Sequence, residues 1–118
     1  MTMTTRTVYK LFRVRKDGSL GPLFIGARQR IPFGEWLEAE DIPTKGFAHR
    51  PGWHCGARPE AQHLTEKGRV WAECEIPEGG YYPFKRPANQ GGEWLIADAI
   101  KVNRILSSED VEQLRTAA

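Results

Sequence analysis

The chain has 118 residues, 40% hydrophobic and 27% charged, which is the composition of one globular domain and not of a disordered segment. With 17 basic and 15 acidic residues the formal charge is +2, too small to mark a nucleic-acid binder by charge alone or an acidic mimic of DNA. No apolar run approaches the roughly 20 residues that cross a bilayer, and Met1-Thr2-Met3-Thr4-Thr5-Arg6 lacks the apolar stretch of a secretory signal, so a cytoplasmic protein without membrane association is expected.

In chain order, residues 1–6 are short and polar and read as a frayed terminus ahead of a single domain over 7–118. Val8 to Arg15 has the β-branched and aromatic content of a strand. A period of two puts Val8, Lys10, Phe12 and Val14 on one face and Tyr9, Leu11, Arg13 and Arg15 on the other. That second face is mixed, which sets Arg13 at a sheet rim or in a cleft. Lys16-Asp17-Gly18-Ser19 is a turn signal, with Leu23-Phe24-Ile25 as the returning strand. Gly34-Glu35-Trp36-Leu37-Glu38-Ala39 and Gly92-Glu93-Trp94-Leu95-Ile96-Ala97 differ at one position, and each reads as a strand opened by glycine.

From Asp41 to Pro59, recurring proline and glycine forbid a long regular element and imply an ordered loop. Pro59 can open a short helix over Glu60 to Glu66, ended by Gly68. Arg69 to Ile76 alternates clearly, with Val70, Ala72, Cys74 and Ile76 facing one way and Trp71, Glu73 and Glu75 the other. A second loop is expected from Pro77 to Gly92, containing Tyr81-Tyr82-Pro83-Phe84-Lys85-Arg86. Strands at Glu93–Ala97 and Ile100–Ile105 flank a turn at Asp98-Ala99, with a single bent strand as the alternative. Ser107-Ser108-Glu109-Asp110 then caps a closing helix whose buried stripe is Val111 and Leu114. The sum is an α+β domain with a mostly antiparallel sheet, two short helices and long ordered loops. Neither Gly-x-Gly-x-x-Gly nor a phosphate-loop lysine is present.

All 3 histidines and one of the 2 cysteines fall between His49 and His63. His49, His54, Cys55 and His63 are chemically competent zinc donors, but their spacing fits no standard site and no metal is expected. A Cys55 nucleophile beside His54 or His63 is conceivable, since an imidazolium favours the thiolate. Cys74 reads as a core thiol, and both cysteines as reduced. Glu73 and Glu75 form a Glu-x-Glu pair beside Trp71. In a cleft, mutual repulsion would raise one pKa and suit proton transfer; on a solvated face they are surface charges. The aromatics and cations of Tyr81 to Arg86 and Arg50 to Arg58 could stack bases or anchor a protein. Nucleic acid is therefore possible, though charge does not indicate it.

Leu11-Phe12-Arg13, Arg50-Pro51-Gly52-Trp53-His54, Arg69-Val70-Trp71-Ala72-Glu73 and Gly92-Glu93-Trp94-Leu95-Ile96 followed by Ile100 to Leu106 resemble a small domain of uncharacterised phage and mobile-element proteins. More distantly, an early strand arginine, a glycine- and aromatic-containing middle and a late glutamate resemble the ADP-ribosyltransferase superfamily. That resemblance implies NAD as cofactor, with Arg13 contacting the dinucleotide and Trp53 and His54 lining its pocket. It implies Glu93 as the catalytic glutamate, with Glu73 and Glu75 as competitors for the role. The phage resemblance implies a host protein target in the host cytoplasm. The alternative reading is a non-enzymatic inhibitor of a host defence system, like the anti-CRISPR proteins, anchored by Trp53, Tyr81, Tyr82 and nearby arginines.

Overall fold

A computed structural model describes residues 4–21, 30–38, 52–60, 67–85 and 93–116. The two alternating stretches become β1 (Thr5–Val14) and β5 (Arg69–Pro77). They pair antiparallel in unbroken register from Thr5 opposite Pro77 to Arg13 opposite Arg69. Thr5 and Arg6, expected to fray, thus belong to the strand, because Pro77 and Ile76 supply them with ladder partners. β2 (Leu20–Gly21) returns against the end of β1. In the turn between them Asp17 Oδ1 accepts the Ser19 N–H at 3.0 Å and the Ser19 hydroxyl at 2.6 Å. This closes the turn early, so pairing starts at Leu20; Leu23 to Ile25 lie outside the described residues.

β3 (Trp36–Glu38) and β8 (Ala99–Ile105) complete a five-stranded sheet in the order β2-β1-β5-β8-β3 among the described residues. A three-stranded sheet, ordered β4-β7-β6, is made by β4 (Trp53–Cys55), β6 (Tyr81–Lys85) and β7 (Glu93–Ala97). Both β4 and β6 fall where loops were expected. Pro83 is tolerated in β6 because that strand is the sheet's edge, where a missing N–H need not break the ladder. Where a turn at Asp98-Ala99 or a bent strand was expected, a bend at Asp98 alone separates β7 from β8 and carries the chain from the smaller sheet into the larger.

The two sheets stack around one core. Val8 and Phe12 of β1, Ala72, Cys74 and Ile76 of β5, and Ile100 and Val102 of β8 meet Trp53, Cys55 and Ala97 of the smaller sheet. Each fully buried aliphatic or aromatic side chain here is worth roughly 1.5–3 kcal/mol. Backbone also joins the sheets, since Tyr9 and Gly56 exchange two N–H···O bonds of 2.8 Å. The Trp53 indole N–H reaches the Leu37 carbonyl at 3.0 Å.

The opposite face of the larger sheet carries Leu11 and Trp71, which pack with Leu106 and Val111. Val111 belongs to α1 (Ser108–Thr116). The helix opens with a reciprocal cap: the Asp110 N–H donates to Ser107 Oγ at 3.1 Å, and the Ser107 N–H donates to Asp110 Oδ2 at 3.3 Å. α1 is the one helix among the described residues. Of the second expected helix, Pro59 and Glu60 are non-helical and 61–66 lie outside the description. Among the described residues the α+β expectation narrows accordingly to antiparallel sheets with a single helix. No helix among the described residues is long and apolar enough to cross a membrane.

Candidate functional site

The histidine- and cysteine-bearing stretch is only partly described, since His49 and His63 lie outside it. Within β4, Trp53 and Cys55 are buried and His54 is half-buried, because alternation sends neighbours to opposite faces. The imidazole and the thiol next to it therefore point apart. The Cys55 thiol donates to the Trp53 carbonyl at 3.5 Å, and burial pushes its pKa up to about 11, against a smaller pull from Lys10. A thiol so placed is protonated at neutral pH and is not an activated nucleophile. Burial likewise pushes Cys74 up, as suits a core thiol. Among the described residues no three His, Cys, Asp or Glu side chains gather as metal ligands.

Lys10 is the residue that chemical motifs did not single out. It lies on the core-facing side of β1 between Val8 and Phe12, and its Nζ donates to the His54 carbonyl at 2.8 Å. The ammonium stands 5.9 Å from the Phe12 ring centre and 6.0 Å from that of Trp53. Burial lowers its pKa, while Cys55 and Cys74 act in the opposite direction. Its position in the apolar alternation of β1 was the available signal.

Glu73 and Glu75 project from the outer face of β5, and each meets a cation on β8. Arg104 lies 3.0 Å from Glu73 and 3.2 Å from Asp110, and Lys101 lies 3.0 Å from Glu75. Glu75 also accepts the Thr5 hydroxyl at 2.7 Å. That bond and the Lys101 contact hold its pKa below the ordinary carboxylate value. Cross-strand pairing thus makes this a charge ladder, and for Glu75 the shift is the opposite of the raised pKa that proton donation needs.

The residues that the resemblance assigns to NAD do not gather. Arg13 follows Tyr9 and Leu11 onto the outer face of the larger sheet, opposite Arg69 and next to Gly21. Glu93 opens β7 in the smaller sheet, which packs against the other face, and its carboxylate lies 3.8 Å from Lys85. The larger sheet therefore stands between the guanidinium and the glutamate. Trp53 faces the core and His54 faces away from it, so the two do not line one hollow. Side-chain alternation, which chain order does not show, separates these residues.

What the smaller sheet does assemble is an aromatic outer face. Tyr81, Leu95 and Ala97 pack toward the core between the sheets, so alternation sends Tyr82 and Phe84 of β6, Trp94 and Ile96 of β7 and His54 to the other face, where Ile96 is itself buried, Phe84, Trp94 and His54 are half-buried and Tyr82 is exposed. Phe84 is directly opposite Trp94, and Ile96 lies between Tyr82 and His54. The His54 and Trp94 rings meet edge to face at 6.2 Å. Gly52 lies over Ile96 with φ 137°, and a Cβ there would collide with Cγ2 of Ile96. Tyr82 remains 49% exposed, against a packed Trp53 and a Tyr81 held beneath Arg6. Of the three aromatic anchors expected, Tyr82 alone faces outward. Phe84 and Trp94, not named among those anchors, join it; the period-two spacing of Tyr82 with Phe84 and of Trp94 with Ile96 was the legible sign.

No family model, curated protein or solved structure matches the chain.

Proposed function

We propose that the domain is a non-enzymatic protein-binding module that docks its partner on the outer face of the three-stranded sheet. The observation that carries this is the row Tyr82, Phe84, Trp94 and His54, aromatic rings placed by strand register on the face that turns away from the core. Tyr82 is the exposed member of that row, and Tyr and Trp are the favoured anchors of protein interfaces. A protein partner fits better than a nucleic acid. None of the described residues on that face is Lys or Arg, and Lys85 at its margin is matched by Glu93, so backbone phosphates would find little there to hold them. In the phage setting that the sequence suggests, the partner is a host protein.

A photo-crosslinking amino acid at position 82, compared with one at exposed Gln113 on α1, tests the reading in host extract. Discrete protein adducts from position 82, lost on Phe84→Ala, are expected. Equal labelling from position 113, or adducts removed by nuclease, would overturn it.

A further inference from the structure

Beside the aromatic face, β6 ends its sheet among the described residues, and the phase of its hydrogen bonds follows from one contact. The Asp98 N–H donates to the Gly80 carbonyl at 2.8 Å, one step beyond the pair Tyr81 and Ala97. Bonded and non-bonded pairs alternate along an antiparallel ladder. Tyr82 and Phe84 therefore bond to β7, whereas Tyr81, Pro83 and Lys85 turn their backbone to the outer edge. Pro83 has no N–H to offer there. A strand added to β6 would meet a missing donor at the middle of its five residues, which disfavours extension of the sheet. The occupant of the face must lie across the rings instead.

Spacing and size narrow it further. Tyr82, Ile96 and His54 stand side by side on adjacent strands, so Tyr82 and His54 are two strand spacings apart, roughly 9.6 Å. Ile96 is buried between them, which leaves the two rings as the points of contact. Three residues of a polyproline II helix rise about 9.3 Å, a near match to that span. On the strand lattice the whole face covers on the order of 200 Å², far below the roughly 800 Å² per partner of a stable folded interface. Such an area suits a short segment already extended before it binds, and not a second copy of the chain.

We infer, resting on the docking reading above, that the aromatic face takes a proline-rich segment of its partner in the polyproline II conformation. The segment lies across β6, β7 and β4, with residues three apart on Tyr82 and His54. Pyrrolidine rings pack on aromatic rings and require no charge from the face that receives them.

Titration of the isotope-labelled protein with acetyl-decaproline amide, followed by amide shifts, tests this against glycine-serine and valine-threonine decapeptides. Saturable shifts at Tyr82, Ile96 and His54 are expected with decaproline, and binding at least about tenfold weaker with either control. Tyr82→Ala is expected to weaken decaproline about tenfold, while Tyr82→Phe, which keeps the ring, stays within a few-fold of the parent. No saturable shift with decaproline, equal binding of either control, or indifference to Tyr82→Ala would overturn the assignment. Adducts from position 82 that persist in host extract under any of those results would sink the proline-rich segment alone and leave the docking face standing.

Discussion

Arg104 stands 3.0 Å from Glu73 because β8 carries one extra residue, Asn103, between the partners of Glu73 and Cys74. Without that bulge, alternation from Val102 would turn Arg104 into the core. With it, Val102 stays inside while Arg104 reaches the outer face and bridges Glu73 to Asp110 of the helix cap. One inserted residue therefore reconciles the apolar side of β8 with the charge ladder on its other side.

The ladder predicts an acid-sensitive contribution from Glu75. Its pKa is lower folded than unfolded, so the stabilisation is present above the ordinary carboxylate pKa and disappears as pH falls through the folded value. Glu75→Gln should cost about 0.5–1 kcal/mol at pH 7, and the gap to the parent should close between pH 5 and pH 3. Urea midpoints across that range measure it.

Lys10 predicts the alkaline counterpart. A lysine whose pKa is lowered on folding binds more protons unfolded, so its contribution improves as pH rises through the folded value and is complete above the ordinary lysine pKa. Relative to Lys10→Met, the parent should therefore gain stability as pH rises toward the ordinary lysine pKa, by at most about 1.4 kcal/mol per pH unit while the group titrates. A gap between the two proteins that stays constant over that range would contradict the assignment.

Thiol labelling should report global opening and not surface chemistry. Cys55 and Cys74 are both buried and free, and burial disfavours both thiolates. An aromatic disulfide reagent at pH 8 is expected to react with neither in the native protein and with both in denaturant. Fast native labelling of either would count against the described core.

Gly52→Ala should destabilise by about 1–3 kcal/mol, since φ is 137° and the added methyl meets Ile96. Gly18→Ala, with φ 85° and open space around it, should cost less. The difference in thermal midpoint between the two variants isolates the collision from the backbone strain.

Where periodicity was long, the sequence was read correctly. Both faces of β1 and β5, the core thiol of Cys74 and the Ser107 cap follow from alternation and from local hydrogen-bond chemistry. β4 and β6 were missed because three to five residues rich in Gly, Pro and aromatics carry a turn-like composition, and only pairing to β7 makes them strands. Arg13 and Glu93 were joined by their order in the chain, yet which side of a sheet each occupies is decided by register, which depends on partners far away in sequence. The same holds for Arg104, whose face is set by Asn103 and not by its own spacing.

The pairing of β1 with β5 also bears on how the chain is born. Thr5 and Glu75, whose side chains are hydrogen-bonded, are 70 residues apart, so at roughly 5–20 residues per second the first strand waits about 4–14 s on the ribosome for its mate. Until β5 has been made, Val8, Leu11 and Phe12 lack the neighbouring strand against which the folded chain buries them.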